Sequence, residues 1–206
     1  MSLYIPAHFR IDDPETLRAF IEANAFGTLV TSGPGGLHVS HIPFVIESAP
    51  DGLRLLGHVA RANPQAGALE QATDIVAIFQ GPHAYVSPTW YEHHPAVPTW
   101  NYAVAHVRGR LSPLDEFGLR DLLGKLSAKY EGDRPGAWRV DAAPGDFIDT
   151  LVGTITGFAI AVERVEGKFK LSQNRPGHDA KRVADALERE GEVALASLMR
   201  EHPPAR

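Results

Sequence analysis

Residues 79–102, FQGPHAYVSPTWYEHHPAVPTWNY, constrain this chain more than any other stretch. They continue an apolar run, Ile75-Val76-Ala77-Ile78, and carry Phe79, Tyr85, Trp90, Tyr91, Trp100 and Tyr102 along with four Pro and three His. A large ring left in water forgoes about 1.5–3 kcal/mol of burial free energy. A solvated linker would not be built this way. Either a partner covers the segment or it walls a pocket for something flat, and one arrangement can do both.

The flanking pattern reads as short strands punctuated by Gly and Pro. Asp12-Asp13-Pro14 starts a helix over about 14–24, with Leu17, Phe20, Ile21 and Ala25 at helical spacing. Strands follow at 27–31, 37–47 and 53–59, separated by turns at Gly33-Pro34-Gly35-Gly36 and Ala49-Pro50-Asp51-Gly52. Asn63-Pro64 opens a short helix to about 71. The run in 74–86 reads as a strand buried on both faces, and 101–111 as another. A helix over 115–130 puts Phe117, Leu119, Leu122, Leu123 and Leu126 on its apolar stripe. A Gly/Pro connection over 131–145 leads to a helix at 146–151 and a strand at 154–165. Gly167 reads as a turn, and 177–201 as a charged helical tail. This order is α+β: an antiparallel β body with peripheral helices, in a single domain spanning 1–206 whose tail is 176–206.

Composition narrows the function. The net charge of -5 does not favour a binder driven by phosphate attraction alone. With no Cys there is no disulfide framework, thiolate nucleophile or cysteine zinc site. The N-terminus lacks a signal-peptide pattern, and no run of about 18 apolar residues is present, so the expectation is a cytoplasmic protein without a membrane span.

Several motifs are decoys. Gly118–Ser127, GLRDLLGKLS, has its glycines one residue too far apart for a phosphate loop and Leu126 where the hydroxyl residue belongs. Residues 33–36 have no helix after them, so they are no dinucleotide fingerprint. The ten His include no H-E-x-x-H; His93 and His94 are adjacent, and His38 and His41 fall on opposite faces of a strand, so no metal site is expected. No G-x-S-x-G elbow is present. What remains is a set of polar residues at strand ends: Ser40 and His41, then His58, Arg61 and Asn63 before the short helix, then Gln80. A strand end entering a helix, with a guanidinium nearby, suits a phosphate; Asn63 as a plain helix cap fits the same spacing.

Taken together, Tyr4-Ile5-Pro6, FGTLVT at 26–31, Ser40-His41-Ile42-Pro43, Gly57-His58-Val59-Ala60 with Asn63-Pro64, FQGPHAYVSPTWY, VPTWNY and Lys170–Arg175 resemble the PaiB-type FMN-binding negative transcriptional regulator family. The resemblance runs from residue 3 to about 200. It implies a six-stranded antiparallel split β-barrel, a homodimer, and FMN at the dimer interface with aromatic rings beside the isoalloxazine. It also implies a phosphate end at His58, Arg61 and Asn63 beside Ser40 and His41. Gln80, Trp100 and Asn101 would lie near the ring, with Lys170, Ser172, Gln173 and Asn174 closing the site. The implied function is regulation with a bound flavin, with direct DNA contact left open because no helix-turn-helix is visible. The alternatives are an FMN-dependent oxidoreductase of a small molecule and a haem protein using His93 or His94.

Overall fold

A computed structural model describes residues 3–204 except 34, 51 and 73. The chain forms two compact units, one of 21–79 and 106–165, the other of 1–20, 80–105 and 166–206. The strands are β1 (Arg10–Ile11), β2 (Phe26–Gly33), β3 (Gly36–Pro43), β4 (Val45–Ala49), β5 (Gly52–Ala60), β6 (Asp74–Val86), β7 (Thr99–Pro113) and β8 (Ile155–Lys170). The helices are α1 (Pro14–Ala23), α2 (Pro64–Leu69), α3 (Glu116–Glu131), α4 (Gly145–Val152), α5 (Gly177–Arg189) and α6 (Val193–Glu201). The strands join one sheet in the order β3-β2-β6-β7-β8-β5-β4, with β1 on β8, and every registered pair is antiparallel.

The α+β class is present, but with eight strands among the described residues rather than six, and the strand path is open, ending at β3 and β4. One extra strand is β1, too short to show a period. The other arises because the expected strand 37–47 breaks. Pro43 has no N–H to give a ladder, and Phe44 turns inward, its N–H donating to the Ala25 carbonyl at 2.8 Å. The expected turns each include a residue outside the described set, Pro34 and Asp51; the pairs Gly33–Gly36 and Ala49–Gly52 flank them.

In the unit of 21–79 and 106–165, Phe44, Phe79 and Phe158 are fully buried in edge-on contact, at centroid distances of 5.3 Å (Phe44–Phe79) and 6.3 Å (Phe44–Phe158). Leu119, Leu122 and Leu126 of α3 pack with Ile148 and Val152 of α4 over Val45, Leu56 and Ala159. Phe117, placed on that stripe from spacing, is 82% exposed. It precedes Leu119 by two residues, about 200° around the helix, so it faces away. β6 is not buried on both faces: Ile75, Ala77 and Phe79 are buried, while Val76 and Ile78 are only partly so.

In the other unit, Phe20 packs on Phe169 at 4.8 Å between centroids, and Val183, Leu187 and Leu195 bury the inner faces of α5 and α6. The tail region is two helices, parted at Gly191. Gly167 is not a turn. It lies inside β8, where an added Cβ would come 2.3 Å from Leu17 Cδ2 and 3.1 Å from the Ile11 carbonyl oxygen. Its lack of a side chain lets β1 and α1 approach.

Candidate functional site

The expected site residues divide between the two units. Ser40, His41, His58, Arg61 and Asn63 belong to one; Gln80, Trp100, Asn101, Lys170, Ser172, Gln173 and Asn174 to the other.

In the first group, Asn63 caps α2. Its Oδ1 accepts the Gln65 N–H at 2.9 Å, and its Nδ2 donates to Ser40 Oγ at 2.9 Å. Ser40 accepts that bond, so its own O–H remains a donor. His41 points to the opposite face of β3, where its Nδ1 meets Thr28 Oγ1 at 2.9 Å. Adjacent strand residues must diverge in this way, so Ser40 and His41 are not brought together. Arg61 is exposed and donates through Nη2 to the Ile155 carbonyl at 3.3 Å. His58, opposite Gly157 on β8, has a buried Nδ1 with no hydrogen-bond partner. Sequence reasoning passed over Gln65. Its Nε2 donates to Thr31 Oγ1 at 3.0 Å and to the His38 carbonyl at 3.3 Å, and its buried Oε1 has no partner. A polar residue on the inward face of a short helix was the available signal.

In the second group, most polar atoms are turned to protein. Asn101 is buried and donates to Ser172 Oγ at 3.0 Å and Met199 Sδ at 3.4 Å. Ser172 is buried with φ of 68°, in the left-handed region. Gln173 closes a local turn, accepting the Leu171 N–H at 2.7 Å and donating to the Phe169 carbonyl at 2.8 Å. Asn174 is exposed. Gln80 Nε2 lies 3.3 Å from His83 Nδ1. Trp100 remains 54% exposed and Tyr85 45%, their rings edge-to-face at 6.2 Å. Lys170 donates to Thr99 Oγ1 and to the Trp100 carbonyl. Burial, then the charges of Lys168 and Arg175, hold the Lys170 ammonium below its ordinary range. An ammonium held down partly by neighbouring cations favours an anionic ligand.

A family model described as "Putative FMN-binding domain" matches residues 3–164. The chain belongs to this family. A relative from Bacillus subtilis, "Protease synthase and sporulation protein PAI 2", is 36% identical over 190 residues, covering 91% of this chain and 90% of the relative. Two solved structures share the fold, each with a TM-score of 0.60. The flavocytochrome Anf3 from Azotobacter vinelandii is 18% identical, with 81% of this chain and 72% of that one covered. The FAD and heme binding protein from Mycobacterium smegmatis is 16% identical, with 78% and 73% covered. FMN is the cofactor that family membership assigns. Each unit, taken by itself, offers groups suited to part of it: in one, a guanidinium, a hydroxyl and an unpartnered imidazole nitrogen suit a phosphate and a ribityl chain; in the other, exposed Trp and Tyr rings suit a flat heterocycle.

Two expected results arise here. Asn63→Ala removes the α2 cap and the Ser40 contact, and should lower stability by about 1 kcal/mol. Asn63→Asp keeps the cap and should recover most of that. Urea denaturation with an unchanged m-value checks both. The second concerns pH. Burial holds the His58 imidazole below its ordinary range. The unfolded chain therefore takes up a proton near pH ~6.5 while the folded chain resists it. Stability should be level in this group above that pH and fall as pH drops from there toward the depressed folded value. His58→Gln should flatten that part of the profile, read by denaturation at several pH values; an unaltered profile would contradict the assignment.

Proposed function

We propose that this FMN-binding chain acts, as a homodimer, as a PaiB-type negative regulator of transcription whose bound flavin reports the redox or metabolic state. The similarity to PAI 2 along nine-tenths of both chains carries the reading, since that relative is named for protease synthase and sporulation. In this proposal Arg61, Ser40 and His58 hold the phosphate end, and Asn63 positions Ser40 as well as capping α2. Lys170 and the exposed Trp100 face the ring end, with Gln80, His41 and Asn174 at the margins. Asn101, Ser172 and Gln173 shape that end through their internal bonds. The split barrel and the single domain belong to the same proposal.

Dimer formation is supported by Phe26, Leu37 and Val39, exposed on β2 and β3. Sedimentation equilibrium should return twice the chain mass; a monomer would remove the partner. Control of transcription is read as indirect. Lys181 is paired with Asp185 at 2.8 Å, Arg200 with Asp185 and Glu188, and Arg182 lies 4.0 Å from Glu92, so these cations of α5 and α6 face carboxylates. A mobility-shift assay with the protein's own promoter at moderate salt should show no shift by the FMN-loaded chain alone. Reduction of bound FMN by NADH or NADPH with steady turnover of an acceptor would replace this reading with an oxidoreductase. A Soret band would point to haem.

A further inference from the structure

His93, in the loop between β6 and β7, and His178 and Asp179, in the first turn of α5, converge although 85 residues separate the two His. His93 Nδ1 lies 3.0 Å from His178 Nε2; Asp179 Oδ2 stands 3.4 Å from the first, and Asp179 Oδ1 3.5 Å from the second. The Asp179 side chain has no exposed area. Its Oδ1 accepts the Glu92 N–H at 2.7 Å and the His93 backbone N–H also faces the carboxylate, but no donor meets the buried Oδ2 at hydrogen-bond geometry. A buried carboxylate oxygen without a donor is costly unless a cation reaches it.

We propose that these three side chains form a binding site for one divalent transition metal of the Zn2+ class. With ligand bonds of 2.0–2.2 Å, neighbouring ligand atoms of a tetrahedral zinc centre lie about 3.4 Å apart. The His93 Nδ1–His178 Nε2 and His93 Nδ1–Asp179 Oδ2 separations fall around that value, and one ligand atom from each of the three residues lies within 4.8 Å of the other two. Two imidazoles and a carboxylate are a donor set that such metals accept. The His93 and His178 side chains are 60% and 48% exposed, so the fourth position opens to solvent. The N-terminal end of the α5 dipole opposes a cation, and the Asp179 charge offsets it. The metal fastens the aromatic loop to α5. The sequence offers no local signal for this site because its ligands come from two distant elements, and adjacent His93 and His94 diverge: His94 is exposed and outside the cluster.

The test uses the untagged full chain stripped with a chelator. Titration calorimetry with ZnCl2 should show one Zn2+ bound per chain, and Co2+ should give the intense visible bands of a tetrahedral centre. His93→Gln and His178→Ala should each weaken Zn2+ binding at least tenfold, while His94→Ala leaves it unchanged. Metal-free melting of each variant reports whether it folds, and the Co2+ spectrum of the unaltered chain stands whatever the variants do. Absence of Zn2+ binding by the unaltered chain, or binding equal to that of a His93→Gln/His178→Ala double variant, would overturn the proposal. FMN binding, measured separately, is independent of it.

Discussion

Phe44→Ala is expected to destabilise the chain by about 3–5 kcal/mol, the usual cost of emptying a fully buried ring site. Phe44 has no exposed surface, and its ring meets those of Phe79 and Phe158 edge-on. Those neighbours belong to β6 and β8 and cannot collapse into the space without moving a strand. A loss of this size is a large fraction of the ~5–15 kcal/mol that holds a typical domain together. The consequence reaches function, because Phe44 anchors the junction where β3, bearing Ser40, gives way to β4. Urea denaturation should show a sharply lower midpoint with a similar m-value, and FMN affinity should fall with it. A change under 1 kcal/mol would mean that the three rings are not a packed core.

Gly109→Ala is expected to prevent folding. The added Cβ would stand 2.0 Å from the Ala161 carbonyl oxygen and 2.8 Å from its carbon. Both are backbone atoms, so no side chain can swing aside; β7 and β8 would have to separate locally. The contrasting substitution is Gly67→Ala, in α2, where an added Cβ meets nothing within 4 Å. That change should be neutral or stabilise by up to about 1 kcal/mol, since Ala restricts the unfolded chain and favours helix. The two variants differ by one methyl group each and should differ in sign. Soluble yield and thermal melting read the result; a Gly109→Ala variant melting with the parent chain would show that the strand pair is not as close as described.

What was legible in the sequence followed local rules. Asn63-Pro64 marks the start of α2 because cap chemistry is short-range, and the structure shows the capping bond itself. The strand at 74–86 was bounded correctly by its apolar run. The errors came where a residue's role is set by something far away in the chain. Gly167 looks like punctuation, yet it is a gap for Leu17. Phe44 sits beside Pro43 in a Val/Ile-rich run, and its burial against Phe79 and Phe158, together with the missing Pro43 N–H, splits the strand. Asn101 and Ser172 stand within family-like strings, yet each is the other's partner. Ser40 and His41 are adjacent in the sequence, yet a period of two sends them to opposite faces. For the same reason His93 and His178 could not be associated from spacing, which says nothing across 85 residues.

The most direct measurement of the central claim is the flavin content of the purified chain after incubation with excess FMN and removal of unbound ligand by gel filtration. The account predicts flavin absorbance co-eluting at one FMN per chain, with retention falling at least tenfold in a Ser40→Ala/Arg61→Ala double variant that still melts cooperatively. A folded chain that elutes without flavin, or a double variant that retains it fully, would contradict the account.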